Sequence, residues 1–343
     1  MDSRASDKTQ ATPVCDRQPC PDDFVPRRWL LGGHRQTIAS NYLPRENRLP
    51  APEERLFSVE PEVQVLCHCH WQADRHSRPT LVIVHGLEGS SESQYVIGTG
   101  SKAWMQGWNV VRMNMRNCGG SERLTPTLYN CSMSADVGAV VQSLIAADRL
   151  ASIALAGFSM GGNLVLKLAG EWGREAPQQV HAVTAVSPII DLSISASALH
   201  DWENRIYEYR FLFNLRKRLI RKSKLFPDRY QSYPLFSIRS LRDFDDKITA
   251  HYGGFNNAED YYDRAGSHRV VDRIAVPTLI IHSLDDPFIR LSPETRAKIL
   301  DNPNIRYIET THGGHCAFLA DPIGYDGRWA ERKLTDFIAE FAQ

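Results

Sequence analysis

Ile153-Ala-Leu-Ala-Gly-Phe-Ser-Met-Gly-Gly-Asn-Leu-Val-Leu-Lys-Leu-Ala-Gly-Glu171 is the stretch from which the fold can be read. Residues 153–156 form a short apolar run that ends in Gly157, and an Ala/Leu-rich helix is expected from about Gly161 to Glu171. A buried strand therefore turns sharply into a helix within five residues. The same alternation continues outward in both directions. Residues 81–84 and 109–113 read as strands before it, and residues 180–186, 278–281 and 305–308 as strands after it. Helical patterns fall at 95–106 and 133–147. Strands alternating with helices predict an α/β architecture, a mainly parallel twisted sheet covered by helices on both faces.

The edges of this pattern set the domain organisation. Residues 1–22 are polar, carry Pro13, Pro19 and Pro21, and show no periodicity, so a disordered tail is expected there and one domain over 23–343. Between about residues 194 and 271 the alternation stops. That insert is aromatic and basic, with Trp202, Tyr207, Tyr209, Phe211, Phe213 and Phe226 among Arg216, Lys217, Arg218, Arg221 and Lys222. It reads as a helical lid over the carboxyl edge of the sheet, its apolar residues covering a site and its arginines facing water. A basic amphipathic stretch can also lie on a membrane, but contact of that kind is not the expectation here.

Composition narrows the function. Lys plus Arg (40) balance Asp plus Glu (40), which argues against a general nucleic-acid binder. No apolar run reaches the roughly 18 residues needed to span a bilayer, and the N-terminus lacks the basic start and apolar core of a secretory signal. A soluble, cytoplasmic protein is expected. The seven cysteines are scattered and contain no C-x-x-C pair. Cys67-His68-Cys69-His70 suggests metal at first sight, but a strand would send the thiols to one face and the imidazoles to the other. No metal site is expected, and the thiols should sit on the buried side.

The chemistry centres on Gly157-Phe158-Ser159-Met160-Gly161. A serine on so tight a strand-to-helix turn is strained, and side chains two residues away on either side would collide with their neighbours, hence the glycines. A serine hydroxyl attacks only when a base takes its proton, and the base needs an acid to orient it. On such an elbow the chain order should be serine, acid, histidine. The loop His282-Ser283-Leu284-Asp285-Asp286-Pro287 supplies the acid and Thr311-His312-Gly313-Gly314-His315 the histidine. Asp285 is favoured over Asp286 because it lies nearer the strand end, leaving Asp286 to brace the turn beside Pro287. His315 is favoured over His312 because Gly313 and Gly314 let the loop bend back over Ser159. The oxyanion donors should be the backbone N–H of Met160 and that of Leu87, in the loop His85-Gly86-Leu87-Glu88-Gly89-Ser90.

These segments together resemble the α/β-hydrolase fold family in its YheT-like, serine-esterase branch. The likeness is carried by Gly33-His34-Arg35-Gln36-Thr37, residues 85–91, 113–121, 157–167 and 244–264 with Asp260-Tyr261-Tyr262, and residues 284–288 and 313–319. It runs from about residue 25 to the end. The resemblance implies a serine hydrolase, a carboxylesterase working through Ser159, Asp285 and His315 on small acyl esters of short or medium chain, without a cofactor. Larger eukaryotic relatives carry an N-terminal membrane anchor that this sequence lacks, so bilayer substrates are not expected. Some fungal relatives pass medium-chain acyl groups to ethanol. An acyltransferase, a thioesterase and a non-catalytic binding protein of the same fold remain alternatives. The segment 33–37 has no role beyond loop packing that the sequence reveals.

Overall fold

The computed structural model describes residues 18–20, 23–230 and 235–342. Its eight-stranded sheet is built from β1 (Glu53–Glu60), β2 (Val63–His70), β3 (Thr80–Val84), β4 (Asn109–Met113), β5 (Ile153–Phe158), β6 (Val180–Val186), β7 (Thr278–Ser283) and β8 (Ile305–Thr310). The order is β1-β2-β4-β3-β5-β6-β7-β8. From β4 to β8 all neighbours are parallel, whereas β2 runs antiparallel to both β1 and β4. β1 is absent from the sequence reading for a physical reason. It is an edge strand of mostly exposed, charged residues, and Phe57 is its one buried side chain. On β2, Cys67 and Cys69 do face the core; His68 meets Glu92 at 3.1 Å, and Arg112 Nε donates to His70 at 3.1 Å.

Each face of the sheet has its own core, as the alternation along a strand dictates. On β3, Val82 and Val84 pack against α3 (Ser134–Ala146) and α4 (Met160–Trp172). Leu81 and Ile83 pack instead with residues of α2 (Gln94–Met105) and the C-terminal helix Trp329–Ala339. At the sheet edge Cys20, inside the segment expected to be a tail, bridges Ile308 in parallel and donates its N–H to Tyr307 at 2.7 Å. The remainder of that segment, residues 1–17 and 21–22, lies outside the described residues.

Between β6 and β7 come α5 (Leu192–His200) and α6 (Arg205–Leu225), with a short helix, Leu241–Phe244, that passes through a π-helical turn at Asp245–Ala250. A further helix, Ala258–Ala265, closes the insert. Its described residues contain no strand, and Leu199, Leu212, Leu215, Leu219 and Phe244 form a small core of their own above the sheet edge. The expected division of faces on α6 is corrected in part. Arg218 and Lys222 are buried, whereas Ile206, Tyr209, Phe213 and Ile220 are exposed. No described helix is long and apolar enough to cross a membrane.

β3 has β4 on one side and β5 on the other. The loops that follow β3 and β5 diverge at that point, which opens a crevice at the carboxyl ends of the strands.

Candidate active site

β5 ends against this crevice, and Ser159 follows it with φ 54° and ψ −115°, a left-handed conformation that a serine adopts only under constraint. Its N–H donates to Val186 O at 2.9 Å, and its carbonyl accepts from Asn163 N–H. The flanking glycines behave as steric reasoning requires. A Cβ on Gly157 would lie 2.2 Å from Gly161 O, and one on Gly161 would lie 2.3 Å from Val84 O. Met160 opens α4, so its N–H has no acceptor within the helix and stays available at the positive end of the helix dipole.

The loop after β3 approaches the same serine. A Cβ added to Gly86 would sit 3.1 Å from Ser159 Cβ. His85 holds this loop from below. Its Nε2 accepts the Met115 N–H at 3.1 Å, so Nδ1 carries the proton and donates to Gly86 O at 2.8 Å. Burial keeps that imidazole neutral, with a pKa lowered to about 4. Tyr95 OH accepts from Gly86 N–H at 2.9 Å, and Tyr129 OH accepts from Glu88 N–H at 3.1 Å. Leu87, between these tethers, lines the same cavity as Ser159 and Met160.

The histidine loop gives the one correction of a residue. His315 Nδ1 meets Asp286 Oδ2 at 2.8 Å; the carboxylate on this imidazole is Asp286 and not Asp285. Asp286 is about 1% exposed, and its other oxygen accepts the N–H groups of Phe288 (3.1 Å) and Ile289 (3.0 Å). It braces the turn with one oxygen and the imidazole with the other. Burial alone would raise its pKa, but His315 outweighs this and holds the carboxyl below its usual range. Asp285 faces the opposite way, accepting Gly314 N–H at 2.8 Å and lying 3.3 Å from the half-exposed His312. Proximity to the strand end does not choose between neighbours whose side chains point to opposite sides.

Burial would lower the His315 pKa, yet the adjacent Cys316 sulfur and Asp286 hold it well above the ordinary imidazole value. The ring packs 4.4 Å from that of Phe288. Cys316 Sγ lies 3.8 Å from His315 Nε2 and 3.6 Å from Val186 O, the carbonyl that also binds Ser159 N–H. Ser159 and Cys316, the residue after His315, thus meet at one carbonyl at the end of β6. Among the described residues Ser159 Oγ makes no hydrogen bond. The cavity above it is apolar, with Leu87, Met160, Ile189 and Phe288 below and Leu199, Phe211, Leu215 and Phe244 of the insert above. Asp245 sits in its wall, held by Thr249 and Tyr262.

The family profile described as alpha/beta hydrolase fold matches residues 79–322. The chain belongs to the α/β-hydrolase family. Within it the YheT-like branch is the one it shares. YheT of Escherichia coli (strain K12) is 31% identical over 324 residues, 94% of either chain. The medium-chain fatty acid ethyl ester synthase/esterase 2 of Saccharomyces cerevisiae (strain ATCC 204508 / S288c) is 30% identical, across 77% of this chain and 62% of its own. Among solved structures, the Pyrococcus furiosus esterase Pf2001 aligns with a TM-score of 0.55 at 16% identity, covering 85% of this chain and 91% of its own. That last likeness is one of fold.

In this α/β-hydrolase one further segment belongs to the site. The helix α1 (Gly33–Tyr42), which opens on the 33–37 segment, supports both the loop of Asp285 and that of His315. Thr37 Oγ1 accepts the N–H of His315 at 2.8 Å and donates to Gly33 O at 2.7 Å. Gln36 brackets Leu319, its amide nitrogen donating to the carbonyl at 3.2 Å and its oxygen accepting the N–H at 2.7 Å. Gly33 lies so close to the Asp285 carbonyl that a Cβ would stand 1.7 Å from it. The buried polar pair Gln36 and Thr37 was the available signal, but their partners lie about 280 residues away along the chain.

Proposed function

We propose that the protein is a serine carboxylesterase that cleaves short- to medium-chain acyl esters through an acyl-enzyme on Ser159. The observation that carries this reading is the His315–Asp286 hydrogen bond of 2.8 Å beside a strained Ser159 under an apolar cavity. Ser159 Oγ adds to the ester carbonyl while His315 Nε2 takes its proton. Asp286 keeps the other nitrogen protonated, so Nε2 is the basic one, and it stabilises the imidazolium. The N–H groups of Leu87 and Met160 receive the tetrahedral oxyanion. Collapse of the intermediate expels the alcohol, which takes the proton from His315. Water then adds to the acyl carbonyl and gives its proton to the same nitrogen; collapse breaks the bond to Ser159 Oγ, which takes that proton back as the acid leaves. The apolar cavity accommodates the acyl chain. The yeast relative's name, synthase as well as esterase, supports ethanolysis as a second outcome at this acyl-enzyme.

The test is a p-nitrophenyl ester series of increasing chain length, run with and without ethanol and with a fluorophosphonate label. Ser159→Ala should fold as the parent does, lose labelling, and lose turnover by several orders of magnitude. Full turnover in Ser159→Ala would rule out this serine as the nucleophile. Ethyl ester formed in proportion to added ethanol would establish acyl transfer beside hydrolysis.

A further inference from the structure

α6 is apolar on two opposite faces. Leu212, Leu215 and Leu219 point into the insert core, and Phe211 and Leu215 roof the cavity over Ser159. On its outer side stand Ile206 (69% exposed), Tyr209, Phe213 (66%) and Ile220, with Trp202 (85%) just ahead of the helix. At about 100° per residue, those four helix positions fall within an arc of roughly 60°. Isolated exposed apolar residues are ordinary, but four on one face within about four turns of one helix are not.

Cations line the stripe. α6 holds Arg205, Arg210, Arg216, Lys217, Arg218, Arg221, Lys222 and Lys224, against Glu208 as its single acid, which is buried. Arg218 and Lys222 turn inward, Arg216 reaches Ile238 O, and Arg221 pairs with Glu122 at 3.2 Å. Among the described residues Arg205, Arg210, Lys217 and Lys224 have no ion pair, and all four are exposed. Asp201 and Glu203 are confined to the N-terminal end of the stripe. Aromatic and aliphatic side chains flanked by unpaired Lys and Arg have the chemistry of a helix lying in the headgroup layer of an anionic bilayer. A second copy of the chain fits poorly, because a self-complementary two-fold contact would set this cationic face against itself.

We infer that the outer face of α6 docks on an anionic lipid surface. Docking there would set the roof of the Ser159 cavity at the interface and direct the enzyme to esters packed in lipid. That consequence rests on the esterase reading; the docking itself does not. Membrane contact, possible but not expected from the sequence, would then be made by a surface helix.

The experiment is co-sedimentation of the full chain with phosphatidylcholine vesicles, with and without phosphatidylglycerol. Binding should require phosphatidylglycerol and weaken in high salt. The triple variant Ile206→Ser/Tyr209→Ser/Phe213→Ser should bind about tenfold or more weakly. Arg210→Gln, Lys217→Gln and Lys224→Gln should each weaken binding by up to about fivefold. None of these residues lines the cavity, so p-nitrophenyl acetate turnover and Tm should hold in all of them. Ser159→Ala should bind vesicles as the parent does, which separates failure of docking from failure of the esterase reading. A parent protein that stays in the supernatant with anionic vesicles at low salt overturns the proposal. So does a triple variant that goes from dimer to monomer by light scattering while its vesicle binding is unchanged, since a second copy would then cover the face. If the triple variant unfolds, the three charge variants decide the matter alone.

Discussion

Asp285 and Asp286 are neighbours in sequence, but their carboxylates do different work in space. Asp286→Asn should keep its hydrogen bonds to Phe288 and Ile289, lose the charge beside His315, and allow the wrong imidazole tautomer. The same change in a serine-protease triad cost about 10⁴ in turnover, and a loss approaching that is expected here. Asp285→Asn should cost less than about tenfold, because its contact with half-exposed His312 is weak and an amide oxygen can still accept from Gly314. The reverse ranking in kcat would return the acid to Asp285. The same pair sets the pH profile. Ester attack needs unprotonated Nε2, and His315 is held well above its ordinary pKa, so kcat/KM should fall as pH drops through a midpoint above about 6.5. Replacing Asp286 removes one of the raising influences and should move this limb to lower pH. A midpoint in the parent below the ordinary imidazole value would contradict the geometry. The tight turn at Ser159 and the bend before His315 were legible in sequence because glycines mark them, and a local steric need leaves a local signature. Which carboxylate meets His315 was not, because that depends on which way each of two adjacent side chains leaves the loop, and no spacing records that.

Among the elements, α6 and the loop after β3 are joined by a buried ion pair. Arg218 Nε donates to Glu88 Oε1 at 2.9 Å, and the same guanidinium reaches Glu88 Oε2 and Asn117 O. Glu88 directly follows Leu87 and holds φ 56°, so α6 grips the strained residue beside the oxyanion donor proposed above. Arg218→Met should leave Glu88 buried without its partner, which is costly, and let the loop relax. Turnover of a short p-nitrophenyl ester should fall by about tenfold or more, bounded by the roughly 10²–10³ lost with a whole oxyanion donor. The loss should lie in kcat more than in KM. An Arg218→Met variant with parental kcat would uncouple lid and loop. Elements were legible in proportion to how far their residues are decided by burial. β3 and β5 are buried, mainly apolar runs that admit one reading, whereas β1 pairs through its backbone and shows water mostly polar side chains. α6 was recognised as a lid, but its eight cations concealed that two are buried in polar cradles and that apolar side chains replace them outside.

Among the described residues the sheet has two large cores, one of which takes in Ala258, Tyr261, Tyr262 and Ala265 of the insert, while α6 and its neighbours form a smaller one with Phe288. Much of the seam between α6 and the sheet domain is polar. Arg218 holds Glu88, Lys222 Nζ holds Glu122 O at 3.0 Å and Thr125 O, Tyr230 OH donates to Pro126 O at 2.7 Å, and Asn204 donates to Pro287 O at 2.7 Å. Water can replace such bonds when the seam opens, at a cost of about 0.5–1.5 kcal/mol each, whereas it cannot replace packing between strands and helices. The part of the insert around α6 should therefore open as a unit below the free energy of global unfolding. Native-state hydrogen exchange tests this directly. Amides of α6 should exchange through an opening with a small denaturant dependence, while those of β3, β5 and β6 exchange only with global unfolding. A phosphonate carrying a medium-length chain, bound to Ser159, would fill the cavity between Phe211, Leu215 and Phe288 and slow exchange in α6. The strands should change far less, because their exchange reports a transition in which the lid is already open. Equal protection and equal denaturant dependence in α6 and β5 would show that insert and sheet melt together, and substrate would then have to reach Ser159 without the lid moving as a unit.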